Sequence, residues 1–215
     1  DSGGARGELL CVLSSAAEYD DVTRVRSVRA TYRRPTTAGI GPFARLGRAY
    51  CLYHLGRLSE ATSGFHGLLN TRTSDTVFTI SAYLGYGYSL FNQGEHLKAL
   101  DIFEALSNTF PDNPLAAIPG YFYSGYCYYQ LEYYGQAVDA WTVLINKFPE
   151  KNPKVAEAAF RTGDTYFKAL EYDKAIASFG FVVERHPSSE YAPPAQAFIA
   201  QCYYNQHQYS DAVRE

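Results

Sequence analysis

Four cysteines and five histidines are the residues of this 215-residue chain best suited to metal or nucleophile chemistry. Their spacing argues against both. Cys11, Cys51, Cys127 and Cys202 contain no CxxC pair, and His54, His66, His96, His186 and His207 fall on different helix faces. Each histidine is expected at a surface or a turn. No GxxxxGK loop is present to cradle a phosphate and no GxSxG elbow to present a serine. Acids such as Glu132 and Asp139 are dispersed, as on solvated helix faces. No catalytic residue, metal or cofactor is expected.

The chemistry that remains is contact chemistry. YCYYQLEYYGQAVDAW, residues 126–141, holds five tyrosines in its first nine positions and ends on the only tryptophan. Such rings could form a membrane belt, a stacking platform, a ligand groove or core. A net charge of −3 and a pI near 6.0 give no basic field for phosphate backbones. The local run RVRSVRATYRR (24–34) carries five arginines. It reads as the solvated face of an outer helix with Asp20 and Asp21 near its N-terminus, the competing reading being a patch for phosphate or an acidic partner. Three uncharged stretches, 76–94, 113–131 and 191–210, have the length of a membrane span. Gly, Asn, Gln and Pro interrupt them and they recur at a fixed interval, so no integral span is expected. The chain has no methionine, and DSGGARGELL lacks a basic region followed by an apolar run. A fragment or processed product is expected.

That interval is the organising feature. Alanines that follow a turn-like pair stand at Ala61, Ala99, Ala137, Ala175 and Ala212, spaced 38, 38, 38 and 37. Four residues on come Phe65, Phe103, Trp141 and Phe179. Twelve before lie Ala49, Gly87, Gly125, Gly163 and Ala200, and twelve after lie Pro111, Pro149 and Pro187. Upstream of each alanine, apolar residues three and four apart predict a first helix, as in AAFRTGDTYFKAL (158–170). A short turn and a second helix follow, which proline ends. The small residues let the two backbones approach and the aromatic fills the adjacent gap. One hairpin cannot bury its own apolar faces, whereas stacked hairpins can. Units are expected at 1–35, 42–73, 80–111, 118–149 and 156–187, with a partial unit at 193–215 that leaves an apolar end exposed. A looser joint or kink is expected at 33–42.

This pattern resembles the tetratricopeptide repeat over nearly the whole chain. The resemblance implies an all-α, right-handed superhelical solenoid of antiparallel helix pairs, with first helices on a concave inner face. The linkers FPDNPLAA, FPEKNPKVAEAA and HPSSEYAPPAQAFIAQCYY are similar to those of bacterial envelope members such as outer-membrane assembly lipoproteins and Tol–Pal accessory proteins. That implies a periplasmic or envelope location, the alternative being cytoplasmic. Three cysteines share one repeat position. Cys127 and Cys202 lie about 20 Å apart at helix spacings of about 10 Å, beyond the roughly 7 Å a disulfide spans. Internal bridges are therefore not expected, and these thiols read as small buried hydrophobes.

The register sorts the rings. Tyr128, Tyr134, Tyr172, Tyr209 and Trp141 are expected in the core. Tyr53, Phe91, Tyr129, Phe167 and Tyr204 form an aromatic column on the inner face. Beside it run Leu46, Leu84, Phe122, Phe160 and Ala197, then Tyr50, Tyr88 and Tyr126, giving way to Asp164 and Gln201. A polar edge follows at His54, Asn92, Gln130, Lys168 and Asn205, and Arg161 with Lys168 makes a small cationic spot around Asp164. Such a face suits a peptide or helix of a protein partner. The bland reading is that curvature buries the column. Carboxylate-clamp members of the family need Lys and Asn where this chain has Leu, Tyr and Phe, so that clamp is not expected; nor is nucleic acid, because the inner face is nearly uncharged. The expected function is a non-catalytic scaffold or adaptor within a larger assembly, the alternative a structural spacer whose groove stays empty.

Overall fold

A computed structural model describes residues 41–71, 74–148 and 152–215. The expected first unit, the arginine run and Cys11 lie outside the described residues, as does nearly all of the 33–42 joint. Ten helices follow in order: α1 (Pro42–His54), α2 (Leu58–Leu69), α3 (Thr76–Asn92), α4 (His96–Thr109), α5 (Pro114–Gln130), α6 (Tyr134–Lys147), α7 (Pro153–Lys168), α8 (Tyr172–Arg185), α9 (Ala192–Asn205) and α10 (Tyr209–Arg214). No strand occurs among the described residues, and no helix there is long and apolar enough to cross a membrane.

The odd-numbered helices start where the linkers tell them to. Asn113 and Asn152 cap α5 and α7 by accepting from the N–H groups of Leu115 (3.0 Å) and Lys154 (2.9 Å), each with proline at the first helical position. Asp75 caps α3 through the Phe78 N–H (2.9 Å). These caps begin α3, α5 and α7 about one turn ahead of the hydrophobic pattern. All five odd helices end alike. The residue at position 56, 94, 132, 170 or 207 turns left-handed, and the N–H after it reaches back to the carbonyl of Leu52, Leu90, Tyr128, Tyr166 or Tyr203 at 2.8–3.0 Å. Glycine fills that position at Gly56 and Gly94, whereas Glu132, Leu170 and His207 hold it at φ 65°, 62° and 63°.

The chain divides into two compact units, one ending at Ile102 and one beginning at Phe103. In the first, α1 packs on α2 and α3, and α2 on α3. In the second, α5 packs on α6 and α7, α6 on α7, α7 on α8, α8 on α9, and α9 on α10. Ala61, Ala99, Ala137 and Ala175 and the aromatics one turn later, Phe65, Phe103, Trp141 and Phe179, are all 0% exposed. The small residues make room for the rings themselves. A Cβ on Gly163 would lie 2.7 Å from Phe179, and one on Gly125 would strike the Trp141 indole, whose Nε1–H donates to the Phe122 carbonyl at 3.1 Å.

Three expectations about single residues change. Cys51 is disulfide-bonded, whereas Cys127 and Cys202 are free and buried. Repeat spacing keeps Cys127 and Cys202 apart, the pair to which the distance applies, and does not constrain Cys51. His186 stands at the turn that ends α8, as expected, but is buried there, beside the Phe181 ring at 5.6 Å. Tyr134 and Tyr209 are half exposed rather than core: each opens its helix at the turn edge, where only one ring face is covered.

Candidate functional site: the inner helix faces

Tyr53 and Phe91 in the first unit, and Tyr129 and Phe167 in the second, are half-buried, while Tyr204 is 61% exposed. Each of the last four meets, at an angle, the ring that opens the following helix: Phe91–His96 at 5.2 Å, Tyr129–Tyr134 at 5.3 Å, Phe167–Tyr172 at 5.7 Å and Tyr204–Tyr209 at 5.5 Å. Two of the hydroxyls also reach the next repeat. Tyr53 Oη accepts from Asn92 Nδ2 (2.7 Å) and Tyr129 Oη from Lys168 Nζ (3.0 Å), the same 39-residue step in both units. The column is thus held in place while part of each ring stays open.

The neighbouring positions behave differently. Leu84 and Phe122 are 8% and 3% exposed and offer a ligand almost no surface; Phe122 packs in one cluster with Val155 and Ala158 of α7. Leu46 and Phe160 are half-buried, and Ala197 is exposed but small. Phe160 packs against Phe179 (5.4 Å), Tyr191 (5.4 Å) and Phe198 (5.9 Å). Tyr50 donates to the Ser81 carbonyl at 2.7 Å, and Tyr126 donates to Glu157 Oε1 at 2.6 Å, again an equal step of 31 residues. Tyr88 is half-buried and Gln201 exposed; of the polar edge, His54, Asn92, Gln130 and Lys168 are exposed and Asn205 is half-buried.

The cationic spot is larger than the sequence suggested. Lys154, Glu157, Arg161, Asp164 and Lys168 share one face of α7 at helical spacing, with signs alternating along it. Arg161 donates to Tyr126 Oη (2.8 Å) and lies 3.7 Å from Glu157; Lys168 pairs with Asp164 at 2.8 Å. Burial and the Glu157 carboxylate hold the Tyr126 phenol well above its ordinary value, and the same pair of causes pushes Tyr191 up to about 12. Hydrogen bonds that Lys168 donates to Asp164 and Tyr129 raise its pKa, while burial lowers that of Lys154. Lys154 Nζ sits 4.5 Å and 4.8 Å from the centroids of Phe122 and Tyr123.

One further slot had escaped the periodicity. Two residues before each small residue stand Gly85, Tyr123, Arg161 and Phe198. Gly85 accommodates Phe65, Tyr123 stacks on Phe103 at 5.1 Å, and Phe198 stacks on Phe179 at 5.2 Å, each meeting the aromatic of the preceding repeat. Glu157 and Lys154 went unnoticed too, although their spacing from Arg161 at i, i+3, i+7 marks a common face. Nothing here resembles a nucleophile: burial pushes the Cys127 and Cys202 thiols up to about 12 and 11. Among the described residues no group of three His, Cys, Asp or Glu could hold a metal. Away from the columns, a hollow of about 520 Å³ opens between α8 and α9, lined in part by Ile176, Phe181, Ile199 and Tyr203.

Comparison with known proteins agrees with this architecture. The tetratricopeptide-repeat family model matches residues 81–113, 120–151 and 157–189. No curated protein matches by sequence. Among solved structures, the MamA protein superposes with a TM-score of 0.65 at 17% identity, covering 80% of this chain and 86% of its own. MamA AMB-1 gives 0.60 at 20% identity over 80% and 86%, and MamA 41-end from Desulfovibrio magneticus RS-1 gives 0.63 at 14% over 82% and 91%. At these identities the likeness speaks for the fold alone. The chain is therefore similar to tetratricopeptide-repeat proteins over the three matched stretches, and it has an all-α solenoid fold of antiparallel helix pairs.

Proposed function

We propose that the chain is a protein–protein interaction scaffold whose second unit receives a partner's peptide or helix along Tyr129, Phe167 and Tyr204. The observation that carries this reading is the state of those rings. They are clamped by the residues that open α6, α8 and α10, yet part of each remains exposed, so binding would cost little side-chain entropy. Gln130 and Lys168 stand exposed beside them to meet the partner's backbone. No group on this face is built for covalent chemistry, and a non-catalytic adaptor fits it. The Cys51 disulfide and the envelope-type linkers favour an oxidising compartment such as the periplasm.

The second reading is a spacer. It draws on the hydroxyl clips at Tyr126 and Tyr129, which make the same rings into joints between repeats. Exchanging Tyr129, Phe167 and Tyr204 together for Ser separates the two. An adaptor loses cross-linked partners while circular dichroism stays helical. A spacer keeps its partners, and a column that is purely core unfolds.

A further inference from the structure

Three cations and two acids share the inner face of α7, and the pairing leaves one cation over. Arg161 is engaged by Tyr126 and Glu157, and Lys168 by Asp164 and Tyr129. Glu157 is already committed: it accepts from Tyr126, faces Arg161, and bears on the Tyr191 hydroxyl. Lys154 therefore lies half-buried over the Phe122 and Tyr123 rings, drawn toward Glu157 electrostatically but joined to no carboxylate by an ion pair or hydrogen bond among the described residues. Ring faces attract an ammonium but offer its three N–H donors no lone pair. The ammonium is partly desolvated, and an arriving anion would replace its remaining water with a charge-assisted hydrogen bond. The N-terminal end of α7 adds its own positive potential at this spot.

We propose that Lys154, with the rings beneath it, is the seat for one carboxylate of the partner segment: an Asp or Glu side chain next to an apolar residue that continues onto the Tyr129–Phe167 column. This rests on the peptide-binding reading of the second unit. One cation without an ion pair matches one carboxylate, whereas a phosphate dianion would call for a second such cation, and both neighbours are tied. The seat takes its one cation from α7 and its rings from α5, unlike a clamp built from Lys and Asn on adjacent repeats. It gives the inner face a polarity, with acid recognised at the N-terminal end of α7 and apolar side chains toward its C-terminal end.

The probes are two capped dipeptides, acetyl-Glu-Phe-amide and acetyl-Gln-Phe-amide, titrated into the folded chain while NMR follows the Lys154 and Tyr129 signals. The Glu peptide should bind about tenfold more tightly, the worth of one charge-assisted hydrogen bond. That preference should vanish in Lys154→Gln and persist in Lys154→Arg and in the control Lys174→Gln, an exposed lysine of α8 paired with Glu171. Equal binding of both peptides at Tyr129 and Phe167 would overturn the seat and leave the groove standing, as would a preference that survives Lys154→Gln. No response to either peptide would overturn both. Should Lys154→Gln fail to fold, the wild-type preference and the Lys154 shift decide the matter.

Discussion

Two successive joints in the second unit are sealed by opposite chemistries. Between α5 and α7 the seal is polar, with Tyr126 bridging Glu157 and Arg161 and Tyr129 holding Lys168. Between α7 and α9 it is ring on ring, with Phe198 lodged against Phe160, Phe167 and Phe179 at 5.2–5.9 Å. Arg161 and Phe198 occupy the same repeat slot, and so do Tyr129 and Phe167. The backbone solution is common to both, so the repeat demands that the slot be filled and leaves open with what. A cation works where the preceding helix supplies hydroxyls, and a phenyl ring where it supplies phenyl rings.

The largest effect should come from emptying the apolar joint. Phe198→Ala removes a ring shared by three others and should cost about 2–4 kcal/mol. Hydrogen exchange should show α9 losing protection while α5 and α6 keep theirs; uniform loss would mean that the two joints are not separate. Next comes the polar joint. Tyr126→Phe takes away a hydroxyl that both donates and accepts, at a cost of about 1–3 kcal/mol in denaturant titrations. It should also change the alkaline limb. The folded chain holds the Tyr126 proton more tightly than a free phenol at about 10, so its contribution is complete below that pH and lost as pH rises through the folded value. In Tyr126→Phe the fall above pH 10 should be shallower, though not absent, because Tyr128 and Tyr191 are also pushed to about 12. An unchanged slope would place the hydroxyl outside the seal. The smallest effect belongs to the turns. Leu170→Gly relieves a left-handed leucine that is 69% exposed, and should raise thermal stability by about 0.5–1 kcal/mol, against a loss of similar size for Gly94→Ala.

What was legible in the sequence is what stays the same in every copy. Ala137 and Trp141 could be placed in the core because Ala61, Phe65 and their counterparts repeat the class at a fixed interval, and all of them are buried. The slot of Gly85, Tyr123, Arg161 and Phe198 was hidden for the opposite reason. It is matched to the preceding repeat, so its chemistry changes whenever the partner ring changes. The burial of Phe122 and Leu84 was not legible, because the repeat register assigns a residue to a helix face and does not record how deeply that face is covered. Lys154 and Glu157 occur once and have no periodic signature at all.

The lone tryptophan gives this unequal pair of joints an optical gauge. Trp141 is fully enclosed, leans on Gly125 and lies 5.6 Å from Tyr126 and 6.1 Å from Tyr129. Its emission therefore reports the hairpin of α5 and α6 and is blind to Phe198. During unfolding, a red shift that lags behind the loss of helical dichroism would time the order in which the two seals open, with no label attached.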